Sequence, residues 1–405
     1  MTNSRVSRIS RRDALGLGGV SAAALALSAC GVQGAAKTQT TKQAETAAQK
    51  FWKAQKATGT VNFANWALYI DPSHQTLKEF TKATGISVNY QEVIQDDNSY
   101  FAKIDPVLRS GQGTGFDVMV ITDGLEFSEL LQLGEVVPLD QSRLTNFHKY
   151  AGKTYQNRSF DPGNVYSVPW AAGSTGIAWN PKYVKEPITS IESLWDKKYA
   201  GHVGMMSDPQ EIANFGLFKA GIDPETSTEA DWKKAAAVLQ QQKSGGIVRQ
   251  YYDQSYIDAL AKGDTWISMA WSGDIFQQNI SAGTDLQFVV PEEGGTIWMD
   301  NMMIPKYAKN PVAAMELIDW FYRPDIAALL TEAIDYISPV PSVQGLIKTA
   351  AAAATGDAKA SLQEVAGSSL VWLTAADYAR LKNYVPVTAK NENTFNGIFQ
   401  PVVAG

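Results

Sequence analysis

Alternating and continuous apolar stretches along the chain predict short strands that are separated by helices. Residues 61–66 and 86–90 alternate between apolar and polar positions, as strands with one buried face do. The segment 116–121 is almost continuously apolar, which is typical of a strand buried on both faces. Helical patterns lie between these strands, over 71–80 and 98–110. This alternation predicts an α/β fold with a parallel sheet.

The pattern changes near residues 170 and 298, which we interpret as crossings between two lobes. Between them the sequence predicts strands at 203–206 and 267–271 and helices at 209–220 and 229–242. Two lobes joined by two crossings suit a protein that closes on its ligand by hinge motion. The predicted parts are lobe 1 at 58–170, with 299–340 returning to it, lobe 2 at 171–298, and a C-terminal helical segment at 341–405 that packs on the lobes.

The first 29 residues are typical of an export signal. Four arginines within residues 5–12 precede an apolar stretch at 14–29, which is shorter than the roughly twenty residues of a membrane-spanning helix. Ser10-Arg11-Arg12-Asp13-Ala14-Leu15 resembles a twin-arginine export motif. We therefore expect the mature protein to act outside the cytoplasm.

The only cysteine of the chain lies directly after this apolar stretch. Leu27-Ser28-Ala29-Cys30-Gly31 resembles a bacterial lipobox, so we expect Cys30 to carry a lipid; an incidental buried thiol is the alternative. Residues 30–57 are rich in Ala, Gln, Thr and Lys and are expected to form a flexible tether. The protein would then be anchored on the outer face of the cytoplasmic membrane.

Composition narrows the function further. The chain has 35 basic and 41 acidic side chains; without residues 1–29, which hold four arginines and one aspartate, 31 basic and 40 acidic side chains remain. This acidic balance argues against nucleic-acid binding. Nucleophile-elbow, zinc-protease, P-loop and dinucleotide-binding motifs are absent from the sequence, and its three histidines are scattered. We therefore expect a binding protein without enzymatic activity, metal or cofactor.

Aromatic and acidic residues recur where predicted strands end. In open α/β sheets, ligands bind outside the carboxyl ends of the strands. Carboxylates accept hydrogen bonds from ammonium groups, and each Trp or Tyr face attracts a cation by about 0.5–2 kcal/mol. These groups contain no Lys or Arg and therefore favour a small aliphatic polycation. They are Asn65-Trp66-Ala67-Leu68-Tyr69, Ser207-Asp208-Pro209-Gln210-Glu211, Trp271-Ser272-Gly273-Asp274 and Trp298-Met299-Asp300.

Each of these residues also has a purely structural interpretation. Asp208 and Glu211 fit a helix-capping pattern, and Asp274 fits a turn or helix start. Trp271 and Trp298 could be core residues. Asp300 is harder to explain in this way, because an acid at a buried crossing needs a partner.

In this combination and order the motifs resemble those of the spermidine/putrescine-binding proteins of bacterial polyamine ABC importers. The resemblance covers about residues 58–345 and implies a two-lobed periplasmic-binding-protein type II fold, with two or more hinge crossings and an interlobe cleft. The matching motifs are Asn65-Trp66-x-x-Tyr69, Phe116-Asp117-Val118, Tyr166-Ser167-Val168-Pro169, Ser207-Asp208-x-x-Glu211, Trp271-x-Gly273-Asp274 and Glu293-Gly294-Gly295-x-x-Trp298-Met299-Asp300.

The resemblance also implies roles for individual residues. Asp208, Glu211 and Asp300 would pair with ligand ammonium groups. Asp274 would be an acid of the putrescine-type members, Thr122 would supply a hydroxyl, and Tyr336 would be a binding tyrosine. The aromatic box would consist of Trp66, Tyr69, Trp271 and Trp298.

Two departures from the family leave the ligand open. Spermidine-type members have a tyrosine soon after the hydroxyl position, where this chain has Asp123-Gly124. Putrescine-type members have Ser-Asp where this chain has Ala67-Leu68. Spermidine, putrescine and another organic cation are all compatible with these residues.

The resulting expectation is a monomeric, lipid-anchored solute-binding protein that captures a polyamine and delivers it to an ABC permease. Three alternatives stay open at this point. Tyr251-Tyr252 resembles a tyrosine pair of ferric-ion binders, a sensory lipoprotein could present the ligand to a receptor, and an exported hydrolase would need paired carboxylates or a nucleophile with its base.

Overall fold

One ten-stranded β-sheet organises the part of the chain that the computed structural model describes, residues 49–388 and 390–404. The signal segment, Cys30 and most of the predicted tether lie outside the described residues. The strands are β1 (Thr60–Trp66), β2 (Ser87–Ile94), β3 (Val118–Thr122), β4 (Ser167–Trp179), β5 (Val203–Met206), β6 (Val248–Tyr252), β7 (Ile267–Trp271), β8 (Gln287–Val289), β9 (Gly295–Met303) and β10 (Leu381–Lys382).

The sheet consists of two groups of parallel strands that two antiparallel strands connect. Its order is β2-β1-β3-β9-β4-β7-β5-β6, with β8 beside β4 and β10 beside β9. Strands β1, β2 and β3 run parallel in the first lobe, and β5, β6 and β7 run parallel in the second. All thirteen residues of β4 are buried; its first part pairs with β9 and its last part with β7. Strands β4 and β9 therefore carry the chain between the lobes.

Helices follow most of the parallel strands and cover the sheet. Short 3-10 turns lie at Gln141–Arg143, Lys153–Tyr155, Ile191–Trp195, Lys197–Tyr199 and Pro224–Thr226. The α-helices are α1 (Gln75–Thr84), α2 (Asp97–Arg109), α3 (Leu125–Leu133), α4 (Thr145–Tyr150), α5 (Pro209–Lys219), α6 (Glu229–Ser244), α7 (Tyr256–Lys262), α8 (Ser272–Ala282), α9 (Pro311–Trp320), α10 (Pro324–Ile334), α11 (Val343–Ala353), α12 (Gly356–Gly367), α13 (Ala375–Arg380) and α14 (Glu392–Val403).

Strand β3 is buried on both faces, as its continuous apolar run predicts. Val118 and Val120 belong to one hydrophobic core, whereas Met119 and Ile121 belong to another. Alternate residues of a strand point to opposite faces, so each core covers one face of the first lobe's sheet. A third core, which includes Met205, fills the second lobe.

The first helix begins later than the sequence predicts. Asp71-Pro72 reads as a helix start, but α1 begins at Gln75 because His74 has a left-handed backbone conformation with φ 53°. Asp71 still caps the helix: its Oδ1 accepts hydrogen bonds from the Thr76 N–H at 3.2 Å and the Thr76 hydroxyl at 2.7 Å. Asp71 thus contributes to capping as predicted, whereas the helix begins about one turn later than predicted.

The C-terminal region contains a strand as well as helices. Strand β10 pairs with β9 in parallel, so it extends the sheet. Phe395 and Phe399 of α14 are fully buried in the core of the second lobe, where Phe395 contacts Trp232 with ring centroids 5.4 Å apart. The sheet continues unbroken through both lobes, so the lobe boundaries at residues 170 and 298 stay predictions.

The described end of the predicted tether contacts the first lobe. Residues 49–53 are helical, and the indole N–H of Trp52 donates to the carbonyl of Pro138 at 2.8 Å. None of the helices in the described part of the chain combines the length and apolarity that crossing a membrane requires.

Asp117 is predicted to be a major source of stability in the first lobe. Its side chain is 1% exposed and accepts hydrogen bonds from the main chain and side chain of both Asn62 and Asn310, at 2.8–3.2 Å. Asp117→Ala would leave these part-buried donors without their acceptor and should lower the free energy of unfolding by about 2–4 kcal/mol in urea denaturation.

Asp325→Ala is the matched control. Asp325 is exposed and forms an ion pair with Arg323 at the start of α10, so its loss should cost less than about 1 kcal/mol. Equal losses for the two variants would contradict the assignment of Asp117.

Candidate ligand-binding site

A cavity of about 440 Å³ lies where the carboxyl ends of the parallel strands of both lobes meet. This is the position that the general rule for open α/β sheets predicts. Strand β9 adds Trp298 and Asp300 from its middle. Each parallel strand contributes a lining residue at or directly after its last position: Trp66 (β1), Gln95 (β2), Thr122 (β3), Met206 (β5), Tyr252 (β6) and Trp271 (β7).

Nine of the ten predicted site residues line this cavity. The exception is Glu211, which lies behind the wall. The nine are Trp66, Tyr69, Thr122, Asp208, Trp271, Asp274, Trp298, Asp300 and Tyr336. The fold thus brings together residues that are up to 270 positions apart in the sequence, while their roles toward a ligand stay predictions.

The wall of the cavity is rich in carboxylates and has no basic side chain. Within the described ranges, none of the lining residues is Lys, Arg or His. A positively charged ligand would therefore meet no like charge, whereas a phosphate or carboxylate ligand would find no cationic partner. The lining acids are Asp96, Asp97, Glu126, Asp208, Asp253, Asp274 and Asp300.

Asp300 is held at the centre of the site by two neutral donors. The Tyr69 hydroxyl donates to its Oδ2 at 2.5 Å, and the Thr122 hydroxyl donates to its Oδ1 at 2.7 Å. Thr122 is the direct β3 neighbour of Asp300 in the sheet register. Burial raises the pKa of Asp300 to about 6, although both hydrogen bonds act in the opposite direction. The donors orient the carboxylate without neutralising its charge.

Asp274 is held in a similar way on the side of the second lobe. The hydroxyls of Tyr256 and Tyr336 donate to it at 2.9 and 2.8 Å. Burial raises the pKa of Asp274, and these hydrogen bonds oppose the rise. A Cβ on Gly273 would lie 2.5 Å from the Tyr336 ring, so this position requires glycine for the tyrosine to reach the carboxylate.

Glu211 lies behind Trp271 and connects three residues in or behind the cavity wall by hydrogen bonds. Its Oε1 accepts from the Thr175 hydroxyl at 2.7 Å, the Trp271 indole N–H at 2.8 Å and the Tyr384 hydroxyl at 2.9 Å. Its Oε2 has no hydrogen-bond partner among the described residues. Burial raises the pKa of Glu211 to about 7, against the effect of these donors. Direct pairing of Glu211 with a ligand stays a prediction, whereas its hydrogen bond with the Trp271 indole is observed in the structure.

Four aromatic residues form a continuous series along the cavity. Ring centroids are 5.4 Å apart between Tyr69 and Tyr336, 5.6 Å between Tyr336 and Trp298, and 6.3 Å between Trp298 and Trp271. The Trp298 indole N–H donates to Thr175 at 3.1 Å. Trp66 lies elsewhere in the lining, where its indole N–H donates to the Val120 carbonyl at 3.1 Å. Such faces suit methylene groups and cations.

The Asp123-Gly124 departure has a structural counterpart. A Cβ on Gly124 would lie 2.7 Å from the side-chain amide of Gln210, so this amide packs against the glycine. The same amide oxygen accepts from the Leu125 N–H at 2.9 Å. Asp123 is buried and accepts from the Met299 N–H at 2.6 Å, which fixes β9 beside the end of β3. Gln210 thereby links the start of α5 to the start of α3.

Sequence reasoning missed several lining residues. Asp97 and Glu126 lie three and four positions after the ends of β2 and β3, so the strand-end rule that identified the other acids could have found them. Tyr384 gave no such signal, because it lies in the C-terminal region and reaches the cavity only through the packing of β10 and α14.

The tyrosine pair does not converge on one site. Tyr252 lines the cavity and Tyr251 does not. Both lie in β6, where adjacent side chains point to opposite faces. In the described part of the chain, no group of three or more His, Cys, Asp or Glu side chains is arranged to hold a metal ion.

The fold and the cavity at the strand ends are those of a protein that binds a small ligand between two α/β lobes. The chain belongs to the family of bacterial extracellular solute-binding proteins, whose family model matches residues 75–360. The resemblance to the polyamine-binding members and the two-lobed periplasmic-binding-protein type II fold are both confirmed.

Relatives named as binding proteins cover most of the chain. It is 32% identical over 281 residues to a spermidine/putrescine-binding periplasmic protein of Salmonella typhimurium, which covers 69% of this chain and 77% of the relative. It is 30% identical over 305 residues to a putrescine/cadaverine-binding protein of Pseudomonas aeruginosa, covering 71% and 82%. A structure described as a putative spermidine/putrescine ABC transporter from Listeria monocytogenes has a TM-score of 0.72 and 25% identity, covering 86% of this chain and 99% of that one. These relatives are binding proteins of transporters and not enzymes.

The ligand-free protein should become less stable as pH rises from about 5 to 8. Carboxyl groups have pKa values of about 4 in the unfolded chain, and burial raises those of Asp300, Glu211 and Glu126 to about 6, 7 and 8. The folded state therefore binds more protons in this range, so stability falls as pH rises. We expect Tm to fall by roughly 2–5 °C in amine-free buffer.

Two glutamate variants test the origin of this pH dependence. Glu211→Gln should flatten the dependence of Tm on pH, whereas Glu229→Gln, an exposed residue of α6, should leave it as in the wild type. A Tm that stays constant or rises over this pH range would show that the buried acids do not dominate it.

Proposed function

We propose that this protein captures a polyamine outside the cytoplasm and delivers it to an ABC permease. The observation that carries the proposal is the cavity wall, which combines seven acids and a series of aromatic faces with no basic side chain among the described residues. The relatives support it, since the Salmonella protein is named for spermidine and putrescine and the Pseudomonas protein for putrescine and cadaverine.

In this proposal Asp300 is the central partner of a ligand ammonium group. Tyr69 and Thr122 already supply its neutral donors, so a cation would bring the missing positive charge without rearranging them. Asp274 would bind a second ammonium group, and Asp208 would provide a further carboxylate across the cavity. Glu211 would act through Trp271 and add negative potential from behind the wall.

The aromatic residues would hold the methylene groups between the amines. Trp298 and Tyr336 lie between Trp271 and Tyr69 in the aromatic series, so a linear aliphatic chain could contact several rings at once. Desolvating each ammonium group is expensive, which explains why acids and rings must be combined in one cavity.

The lobe assignment, the anchor and the monomeric state belong to the same proposal. Lobe 1 (58–170 and 299–340) and lobe 2 (171–298) would close around the ligand through β4 and β9. A lipid on Cys30 would keep the monomer at the membrane surface close to its permease. Residues 30–57 would span the distance between the lipid and the binding lobes.

Asp300→Asn should weaken binding of spermidine and putrescine by about 100-fold or more, because a buried charge pair loses one partner. Trp66→Ala should weaken binding less, by about tenfold, since it removes one aromatic face. Isothermal titration calorimetry with both amines measures these effects. Asp285→Asn, an exposed acid outside the cavity, is the charge-matched control. Normal amine binding by Asp300→Asn would refute the site.

The anchor is tested separately in cells. Cys30→Ser should release the exported protein from the membrane fraction into the soluble extracytoplasmic fraction and should abolish labelling with a radioactive fatty acid. The affinity of the purified protein for amines should stay the same, because Cys30 precedes the binding lobes. Membrane retention of Cys30→Ser with no change in labelling would contradict lipidation.

A further inference from the structure

Five of the seven lining acids fall into two groups along the cavity. Asp274 and Asp300 adjoin the aromatic series and share an electrostatic effect on Tyr69. Asp97, Glu126 and Asp208 form a second acidic group. The charge of Asp208 raises the pKa of Glu126, and the charge of Glu126 raises the pKa of Asp97. The charge of Asp300 also raises the pKa of Asp97, so the second acidic group interacts with the first one.

Helix capping explains only one member of the second acidic group. Asp208 is the N-cap of α5 and accepts from the Gln210 N–H at 2.7 Å. Asp97 lies one position inside α2, where Asp96 already provides the cap by accepting from the Ser99 N–H at 2.7 Å. Glu126 lies inside α3, whose N-cap is Gly124. Two of the three acids therefore do not serve as helix caps.

The carboxylate of Glu126 is buried without a partner from another residue. Its side chain is 8% exposed and lines the cavity. Throughout the described ranges, the only hydrogen-bond donor acting on it is its own main-chain N–H. The carboxylate lines the cavity, so a ligand donor could reach it.

Asp97 has the same deficiency. Its Oδ1 is buried and has no hydrogen-bond partner among the residues that the structure describes. The nearby Thr122 hydroxyl has a single proton, which it donates to Asp300, so it cannot satisfy Asp97 as well. These two interacting acids therefore both lack a positively charged hydrogen-bond donor among the described residues.

In the described part of the chain, the charged groups found to act on Glu126 are acids. They are Asp208 at the start of α5, Asp96 and Asp97 at the start of α2, Glu129 of α3 and Glu392 at the start of α14. Burial and this repulsion raise the pKa of Glu126 to about 8. A cation placed among them would relieve the repulsion and release a proton at neutral pH.

We propose that Asp97 and Glu126, with Asp208, form an additional ammonium-binding subsite, so that the protein prefers linear amines with three or more amino groups over diamines. This inference rests on the proposed function and specifies its ligand. The groups around Asp300 and Asp274 bind one end of the amine, the aromatic series contacts its methylene groups, and the additional subsite binds the distal ammonium group.

Calorimetry of the full-length protein in detergent tests this subsite with putrescine, spermidine and spermine. We expect the wild type to bind the triamine at least about tenfold more tightly than the diamine. Glu126→Gln and Asp97→Asn should each weaken spermidine and spermine binding by about fivefold or more while changing putrescine binding by less than about twofold. Glu229→Gln, which removes an exposed charge from α6, should bind all three amines as the wild type does.

Two further measurements separate a binding role from a structural one. At pH 7, spermidine binding in buffers of different ionisation enthalpy should release protons, and Glu126→Gln should release fewer. In amine-free buffer, Glu126→Gln should melt at a higher temperature than the wild type, because it removes repulsion between acids. A variant that melts at a lower temperature and loses affinity for every amine would assign Glu126 a structural role and overturn the subsite.

The outcomes distinguish this inference from the proposed function. If the wild type binds amines but Glu126→Gln and Asp97→Asn weaken diamine and triamine binding equally, or change neither, the additional subsite is wrong and polyamine capture stands. If the wild type binds none of the three amines, polyamine capture itself is wrong, and the subsite falls with it.

Discussion

The structure depends on keeping several carboxylates in a cavity whose described wall residues include no basic side chain. A buried charge is costly unless it is paired or well hydrogen-bonded. Tyr69 and Thr122 for Asp300, and Tyr256 and Tyr336 for Asp274, supply only neutral donors. These donors fix the geometry of each acid but leave its charge in place. The cavity therefore favours a cation. Burial raises the pKa values of Asp300 and Asp274, because their negative charges lack a positive partner.

The topology explains why so many acids meet there. The six parallel strands β1–β3 and β5–β7 end at the cavity, and helices α2, α3, α5 and α8 begin beside it. Helix N-termini normally attract anions. Here the first turns carry their own acids, among them Asp97, Glu126 and Asp274. The positive ends of the helices stabilise these carboxylates by about 0.3–1 kcal/mol each, and the site that remains is selective for positive charge.

The buried network behind the wall extends the site beyond its lining. Glu211 accepts hydrogen bonds from Thr175, Trp271 and Tyr384, and Thr175 accepts from Trp298. One carboxylate thus sets the orientation of two indoles and connects them to the C-terminal region. This region includes β10 and α14 and lies beyond the residues that the family model matches.

The sequence by itself determined the strand and helix alternation, the acid-rich aromatic groups and their position at strand ends, because periodicity and strand-end position are local properties. It also pointed to Asp208, Asp274 and Asp300 as members of one site. Only the tertiary structure placed Glu211 behind Trp271, moved the start of α1 to Gln75 and brought Tyr384 to the cavity. Burial, partner choice and the contact of distant segments arise from packing in three dimensions, and those determine which acids lack a counter-charge.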